Sequence, residues 1–197
     1  SFQNGALTYM EVAQRVLSGY GQSGVTDHAT GGACIPEFLL QYEESDWVFL
    51  RRLASHFGTY LLADATDACG KVYFGIPEIS YGTVLDRQDY TMEKDMLHYA
   101  RVLEKEGVLS QEASCWNVMV RFFLRMGETL TFNGIEAVVT AMRLHTEKGE
   151  LVYSYVLARR AGIRREKEKN PGIFGMSIPA TVMERSGNRI RVHFEID

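Results

Sequence analysis

Thr129-Leu-Thr-Phe-Asn-Gly-Ile-Glu-Ala-Val-Val-Thr-Ala-Met-Arg-Leu144 is the stretch on which the fold turns. Asn133-Gly134 brings together two residues that accept positive φ, which is what a two-residue hairpin turn demands. Residues 129–132 lead into it and 135–144 return along it. Upstream, Trp116, Val118, Val120, Phe122 and Leu124 alternate with Asn117, Arg121 and Arg125. That period of two predicts a strand with one buried face, running to Leu124 before a turn at Gly127. Downstream, a turn over 146–149 precedes a segment in which Leu151, Tyr153, Tyr155 and Leu157 share a face. Consecutive antiparallel strands across 90–158 predict a small barrel or a strongly curved sheet.

The region before the sheet has a different period. Thr8 and Glu11 have the spacing of a capping box, and Tyr9, Val12, Ala13, Val16, Leu17 and Tyr20 recur at helical intervals until Gly19 and Gly21. Residues 21–32, rich in Gly, Ser and Thr, read as a loop. A short strand is expected over 38–42, then a second helix capped by Ser45 with Trp47, Leu50, Leu53, Ala54 and Phe57 on one face and Gly58 as terminator. Strands over 59–63 and 71–76 make a hairpin about the polar turn 64–70. On this face assignment Trp47→Ala costs about 3 to 5 kcal/mol. Glu43, Glu44 and Asp46 complement the helix dipole at its N-terminal end, so Glu44→Gln costs only a few tenths of a kcal/mol.

Beyond the sheet, residues 159–169 hold six basic and two acidic side chains and end in Asn170-Pro171-Gly172. Without interleaved aromatics, the run reads as a solvated linker rather than a phosphate grip. Segments 173–183 and 189–196 form a hairpin about Ser186-Gly187-Asn188. Ile190, Val192, Phe194 and Ile196 lie on one face of it, alternating with Arg189, Arg191, His193 and Glu195.

The chain of 197 residues is 46% apolar and 23% charged, as an ordinary globular protein is. A formal charge of −4 argues against a dedicated binder of nucleic acid or of anionic membrane. No stretch approaches 18 apolar residues, so no membrane anchor is expected. Cys34, Cys69 and Cys115 match no CxxC spacing and read as reduced thiols. His28, His56, His98, His145 and His193 are scattered. A metal site from His28, Cys34 and Cys69 is conceivable, but no spacing makes ligands converge, and neither metal nor cofactor is expected. Two of Glu43, Glu44 and Asp46 could in principle serve as an acid and base pair. Adjacent positions point in different directions, however, and no catalytic residue is assigned.

The run Gln41-Tyr-Glu-Glu-Ser-Asp-Trp-Val-Phe-Leu-Arg-Arg-Leu-Ala-Ser-His-Phe-Gly58 resembles the Y-x-E-S-D-x-x-F-L-x-R-L-x-x-x-x-G segment of the VgrG and phage late-control gene D family. Those proteins form the baseplate hub and spike of contractile tails, tailocins and type VI secretion systems. The order of the later segments is similar too: Gly127-Glu-Thr-Leu-Thr-Phe-Asn-Gly134 within a β domain, a charged linker, then Ile178-Pro-Ala-Thr-Val182 and Arg189-Ile-Arg-Val-His-Phe194. In the family the last piece resembles the first two strands of an OB-like domain.

The resemblance implies an α+β, mostly β chain in four parts: an α/β hub region (1–88), a β-barrel-like hub domain (89–160), a charged linker (161–172) and the truncated start of an OB-like domain (173–197). A first barrel, the rest of the OB-like domain and a needle, present in full family members, are expected to lie outside this chain. The implied function is a structural hub and spike component, trimeric in the parent protein and partnered by the tail tube and other baseplate proteins. It would be made in the bacterial cytoplasm and assembled into a tail or injection machine. A cell-wall-degrading tail enzyme and an OB-type nucleic-acid binder are the alternatives.

Overall fold

The computed structural model describes residues 1–21, 24–64, 66, 70–86 and 89–196. Helix α1 (Tyr9–Leu17) starts on the expected capping box. The Thr8 hydroxyl accepts from the Glu11 amide at 3.1 Å, and a Glu11 carboxylate oxygen accepts from the Thr8 amide at 2.7 Å. A three-residue strand β1 (Val25–Asp27) lies inside the segment expected as loop. Helix α2 (Asp46–Ser55) is capped by Ser45, whose hydroxyl accepts from the Val48 amide. Strands β2 (Leu61–Ala63) and β3 (Val72–Phe74) pair antiparallel as expected, and β1 adds in parallel on the other side of β3. The expected strand at 38–42 reduces to a single bridge, Phe2 to Leu39.

The helices and this small sheet enclose one core, with Val12, Ala13, Phe49, Leu50, Leu53, Ala54 and Phe74 fully buried. The buried face of α2 is thus Phe49, Leu50, Leu53 and Ala54. Trp47 stands 41% exposed, which corrects its place in the expected stripe. Phe49 stacks on Phe2 with centroids 5.9 Å apart, a contact from the chain start that helical spacing alone does not reveal.

The second core belongs to a six-stranded sheet ordered β4-β7-β8-β9-β6-β5. Its strands are β4 (Ile79–Leu85), β5 (Tyr90–Lys94), β6 (Ser114–Val120), β7 (Glu128–Phe132), β8 (Ile135–Glu147) and β9 (Glu150–Ala158). The 133–134 hairpin forms as expected, with φ of +47° at Asn133 and +77° at Gly134. Lys148 and Gly149 make the next turn with the same signs. Between β5 and β6 the chain passes through a short helix α3 (Met96–His98), a π turn (Tyr99–Leu103) and 3-10 turns, none of them anticipated.

Strand β4 pairs parallel to β7, so the sheet is mixed. It includes a strand from before the expected boundary at 88/89. Its outer strands β4 and β5 do not pair, so no closed barrel forms among the described residues. The alternative expectation, strong curvature, is what the side chains record. Strands β5 and β7 are four steps apart, about 19 Å in a flat sheet. Yet the rings of Tyr90 and Phe132 lie only 5.3 Å apart, and Trp116 reaches Phe132 at 5.7 Å. The sheet curls around Trp116, Val118, Leu130, Phe132, Val139, Tyr155 and Leu157. Register shifts in the β4–β7 and β8–β9 pairs supply the bend.

Strand β6 ends at Val120 rather than Leu124. Phe122 turns out to 46% exposure, while Leu124 tucks back under the sheet at 2%. The Tyr155 hydroxyl holds that return by accepting the Leu124 amide at 2.8 Å. Beyond the sheet, β10 (Ala180–Ser186) and β11 (Arg189–Phe194) form the expected two-stranded hairpin, but its first arm covers 180–186 rather than 173–183, a 3-10 turn occupying Pro171–Ile173. Val192 and Phe194 are half-buried while Arg191 and His193 are exposed, as the alternation requires, but Ile190 of the same expected face is 61% exposed. No helix among the described residues is long and apolar enough to cross a membrane.

Candidate functional site

The segment that carries the family resemblance folds into a polar knot at the start of α2. Glu44, just before the cap, reaches eight residues on to Arg52. Arg52 Nη2 donates to Glu44 Oε1 at 2.5 Å and Nε donates to Oε2 at 3.3 Å. Their side chains are only 7% and 9% exposed. The same Nη2 also donates to the Leu40 carbonyl at 2.8 Å, and the guanidinium lies 5.2 Å over the Phe49 ring. Glu44 is therefore half of a buried ion pair, not a dipole-facing surface carboxylate, and the expectation of a negligible Glu44→Gln cost is corrected.

Asp46 is equally committed. Its two oxygens accept from the Tyr20 hydroxyl and the Gln41 amide, both at 2.7 Å. Glu43 is exposed with a φ of +47°. The three carboxylates thus hold three separate structural positions and do not face one another across a cavity.

The expected solvated linker is instead a strap laid along the first core. Arg160 donates to the Ile76 and Pro77 carbonyls and to the Thr129 hydroxyl, which ties the two cores together. The Arg165 amide donates to the Gly58 carbonyl at 3.0 Å and the Glu168 amide to the Ser55 hydroxyl at 2.8 Å. Asn170 Nδ2 donates to the Tyr42 carbonyl at 2.7 Å. Arg165 pairs with Glu168 and lies over the Tyr60 ring, Arg164 pairs with Glu106, and Arg159 contacts Glu112. Four of the six basic residues thereby find partners in carboxylates or backbone carbonyls, and Lys169 lies 6.0 Å over the Phe174 ring. At Gly162 a Cβ would stand 1.9 Å from the Glu112 carbonyl oxygen, so the strap passes where no side chain fits.

The conceivable metal residues do not form a site that can be described. His28 packs edge-on to Tyr73, Cys34 is exposed with its thiol toward the Ala6 carbonyl, and Cys69 lies outside the described residues. Among the described residues no group of three or more His, Cys, Asp and Glu could hold a metal ion. Burial, followed by the Glu93 carboxylate, pushes the Cys115 thiol up, the opposite of activation.

Among the described residues, the titratable group most displaced from its ordinary value is His56, at the end of α2. Burial, reinforced by the charges of Lys167 and Arg52 and opposed by Glu37, brings its pKa down to about 4. Its Nδ1 is 3.0 Å from the Tyr9 hydroxyl. Sequence spacing holds no signal for this residue, nor for Arg160, because both depend on contacts made by distant segments.

No family model matches the sequence, and no curated protein does. The fold does have solved counterparts. A structure of the Escherichia coli c3393 protein, described as a component of the type VI secretion system with structural similarity to T4 bacteriophage tail proteins gp27 and gp5, matches 99% of this chain with a TM-score of 0.72 at 15% identity. A 43 kDa tail protein of prophage MuSo2 from Shewanella oneidensis matches 83% with a TM-score of 0.62 at 9% identity. The tail protein from Neisseria meningitidis MC58 matches 83% with a TM-score of 0.55 at 12% identity. The chain spans 62% of the E. coli protein, 67% of the Shewanella protein and 69% of the Neisseria protein. From the capped helices through the curled sheet to the terminal hairpin, this chain has the fold of phage-tail and type VI secretion proteins, the fold that the resemblance to the VgrG and late-control gene D family implied.

Proposed function

We propose that this chain is part of the central hub of a contractile, phage-tail-like injection machine, and that it acts there as a structural element rather than a catalyst. The observation that carries this reading is the likeness to the E. coli type VI component, which extends over 99% of the chain and so includes both cores, the strap and the terminal hairpin. The chemistry of the Glu44–Arg52 knot is consistent with it, since these charged groups hold backbone and each other. In this proposal the parent protein is a trimer, made in the bacterial cytoplasm and assembled against the tail tube and other baseplate proteins. Its parts follow the expected order, with the first division placed ahead of β4 (Ile79–Leu85), which pairs into the six-stranded sheet, and the later ones near 160 and 172.

Light scattering on two proteins tests the proposal. This chain alone should be monomeric or weakly associating, and its parent, extended through the OB-like domain and needle, should be a stable trimer. A parent that stays monomeric at tens of micromolar, well above the dissociation constant of an obligate interface, would overturn the hub reading.

A further inference from the structure

A cavity of about 410 Å³ opens where residues 37–40, the end of α2 and the strap meet. This is within the range of small-molecule sites. One part of its wall is apolar, with Phe38, Ile173, Phe174 and Met176 in it, and Phe174 is 68% exposed although it faces a concave surface; the rest is polar, with His56 and Asn170 among it. Lys167 and Lys169 stand on the same lining. The charges around it do not balance. Arg52 is matched by Glu44, and Glu168 by Arg165, so Lys167 and Lys169 remain against the Glu37 carboxylate, with the Lys169 ammonium 6.0 Å over the Phe174 ring.

We propose that this cavity is a binding site for an apolar carboxylate, with the anion received by Lys167 and Lys169 and the hydrocarbon body laid on Phe38, Ile173 and Phe174. The inference goes beyond the hub reading and does not depend on it. An apolar wall rimmed by surplus cation favours a ligand with an apolar body and one negative end over a neutral or dianionic one. His56 reports the same field from inside. It faces Tyr9 from α1, Glu37 from the preceding segment, Arg52 from its own helix and Lys167 from the strap, and it is held neutral at ordinary pH by burial and by the two cations. An anion seated beside the lysines cancels that field and raises the His56 titration midpoint. Two sources share this chemistry: a free short-chain acid, and the C-terminus of a peptide ending in an apolar residue.

The test is a titration of the whole chain followed by the His56 ring protons, identified by comparison with His56→Gln. Octanoate and N-acetyl-Ala-Ala-Leu are the probes, and octanamide and the peptide amide their uncharged controls. Saturable movement of the His56 signals and a raised midpoint with a carboxylate probe, absent with its amide, support the site. The tighter of the two carboxylates identifies the source. Lys167→Gln/Lys169→Gln should weaken binding about tenfold or more while leaving the melting temperature unchanged, because both side chains are exposed. The proposal is overturned if neither carboxylate moves His56 up to about 10 mM, if the amides bind as well, or if the double variant binds as the parent does.

Discussion

Glu44→Gln keeps the size of the side chain and removes its charge, leaving the Arg52 guanidinium buried with only neutral acceptors, the new amide oxygen and the Leu40 carbonyl. Breaking a buried pair from one side costs about 3 to 5 kcal/mol. Because glutamine still offers one acceptor, the lower end applies, about 3 kcal/mol. In a chain of this length that corresponds to a melting temperature lower by about 6 to 12 °C. Urea unfolding of the parent and the variant at neutral pH gives the difference directly.

The companion experiment is Glu44→Leu/Arg52→Met. Replacing both charges by apolar groups removes the desolvation cost along with the attraction, so the double variant should lose less than either single one. A Glu44→Gln loss under about 1 kcal/mol would mean that solvent screens the pair. A double variant as unstable as the sum of its parts would mean that the two residues do not act together.

Burial and hydrogen bonding lead to three further outcomes. Phe49→Ala should cost about 3 to 5 kcal/mol and Trp47→Ala less than about 1, since Phe49 is fully buried and Trp47 is 41% exposed; chemical unfolding ranks the two, and the reverse order would contradict the face of α2. Tyr155→Phe removes the acceptor of the buried Leu124 amide and should cost about 1 to 3 kcal/mol, with faster hydrogen exchange at Leu124 as the local signature. His56 is depressed from 6.5 to about 4, so the unfolded chain binds its proton first: this contribution is complete above pH 6.5 and is lost as pH falls toward 4. Discounted for the ring's partial exposure it amounts to about 1 to 2 kcal/mol, and a His56→Gln variant whose stability fell just as steeply between pH 6.5 and 4 would refute it.

What can be read ahead of the structure is local. The Thr8–Glu11 cap, the Asn133-Gly134 turn, the Ser45 cap and the alternation at Trp116, Val118 and Val120 are each decided within a few residues of chain. The family resemblance supplies the order of parts at a level that composition cannot reach. The errors are long-range. Choosing Phe49 over Trp47 for the buried face needs Phe2, 47 residues away, to show which side the core is on. Strands β1 and β4 escape notice because one has three residues and the other is largely exposed and interrupted by Gly82, so neither shows a period. The ion pair is hidden because Glu44 precedes the helix and folds over it, a geometry outside the usual helical spacings. A basic run looks solvated until its anions are located, and those of the strap lie partly on other segments, at Glu106 and Glu112.

The strap also sets a timetable. Ser55 waits 113 residues for Glu168, and Tyr42 waits 128 for Asn170, while the whole curled sheet is made in between. At a synthesis rate of about 5 to 20 residues per second, these 113 to 128 residues take roughly 6 to 26 s to make, and the first core waits that long for the segment that covers its flank. Closing so long a loop costs only slowly growing entropy, about 0.6 kcal/mol per doubling, so the delay is a matter of time rather than of final stability. During that interval the Ser55 hydroxyl and the Gly58 and Tyr42 carbonyls are open to any strap within reach, including one from a neighbouring nascent chain. The inserted sheet gives this protein the connectivity that makes exchange of the strap between copies possible.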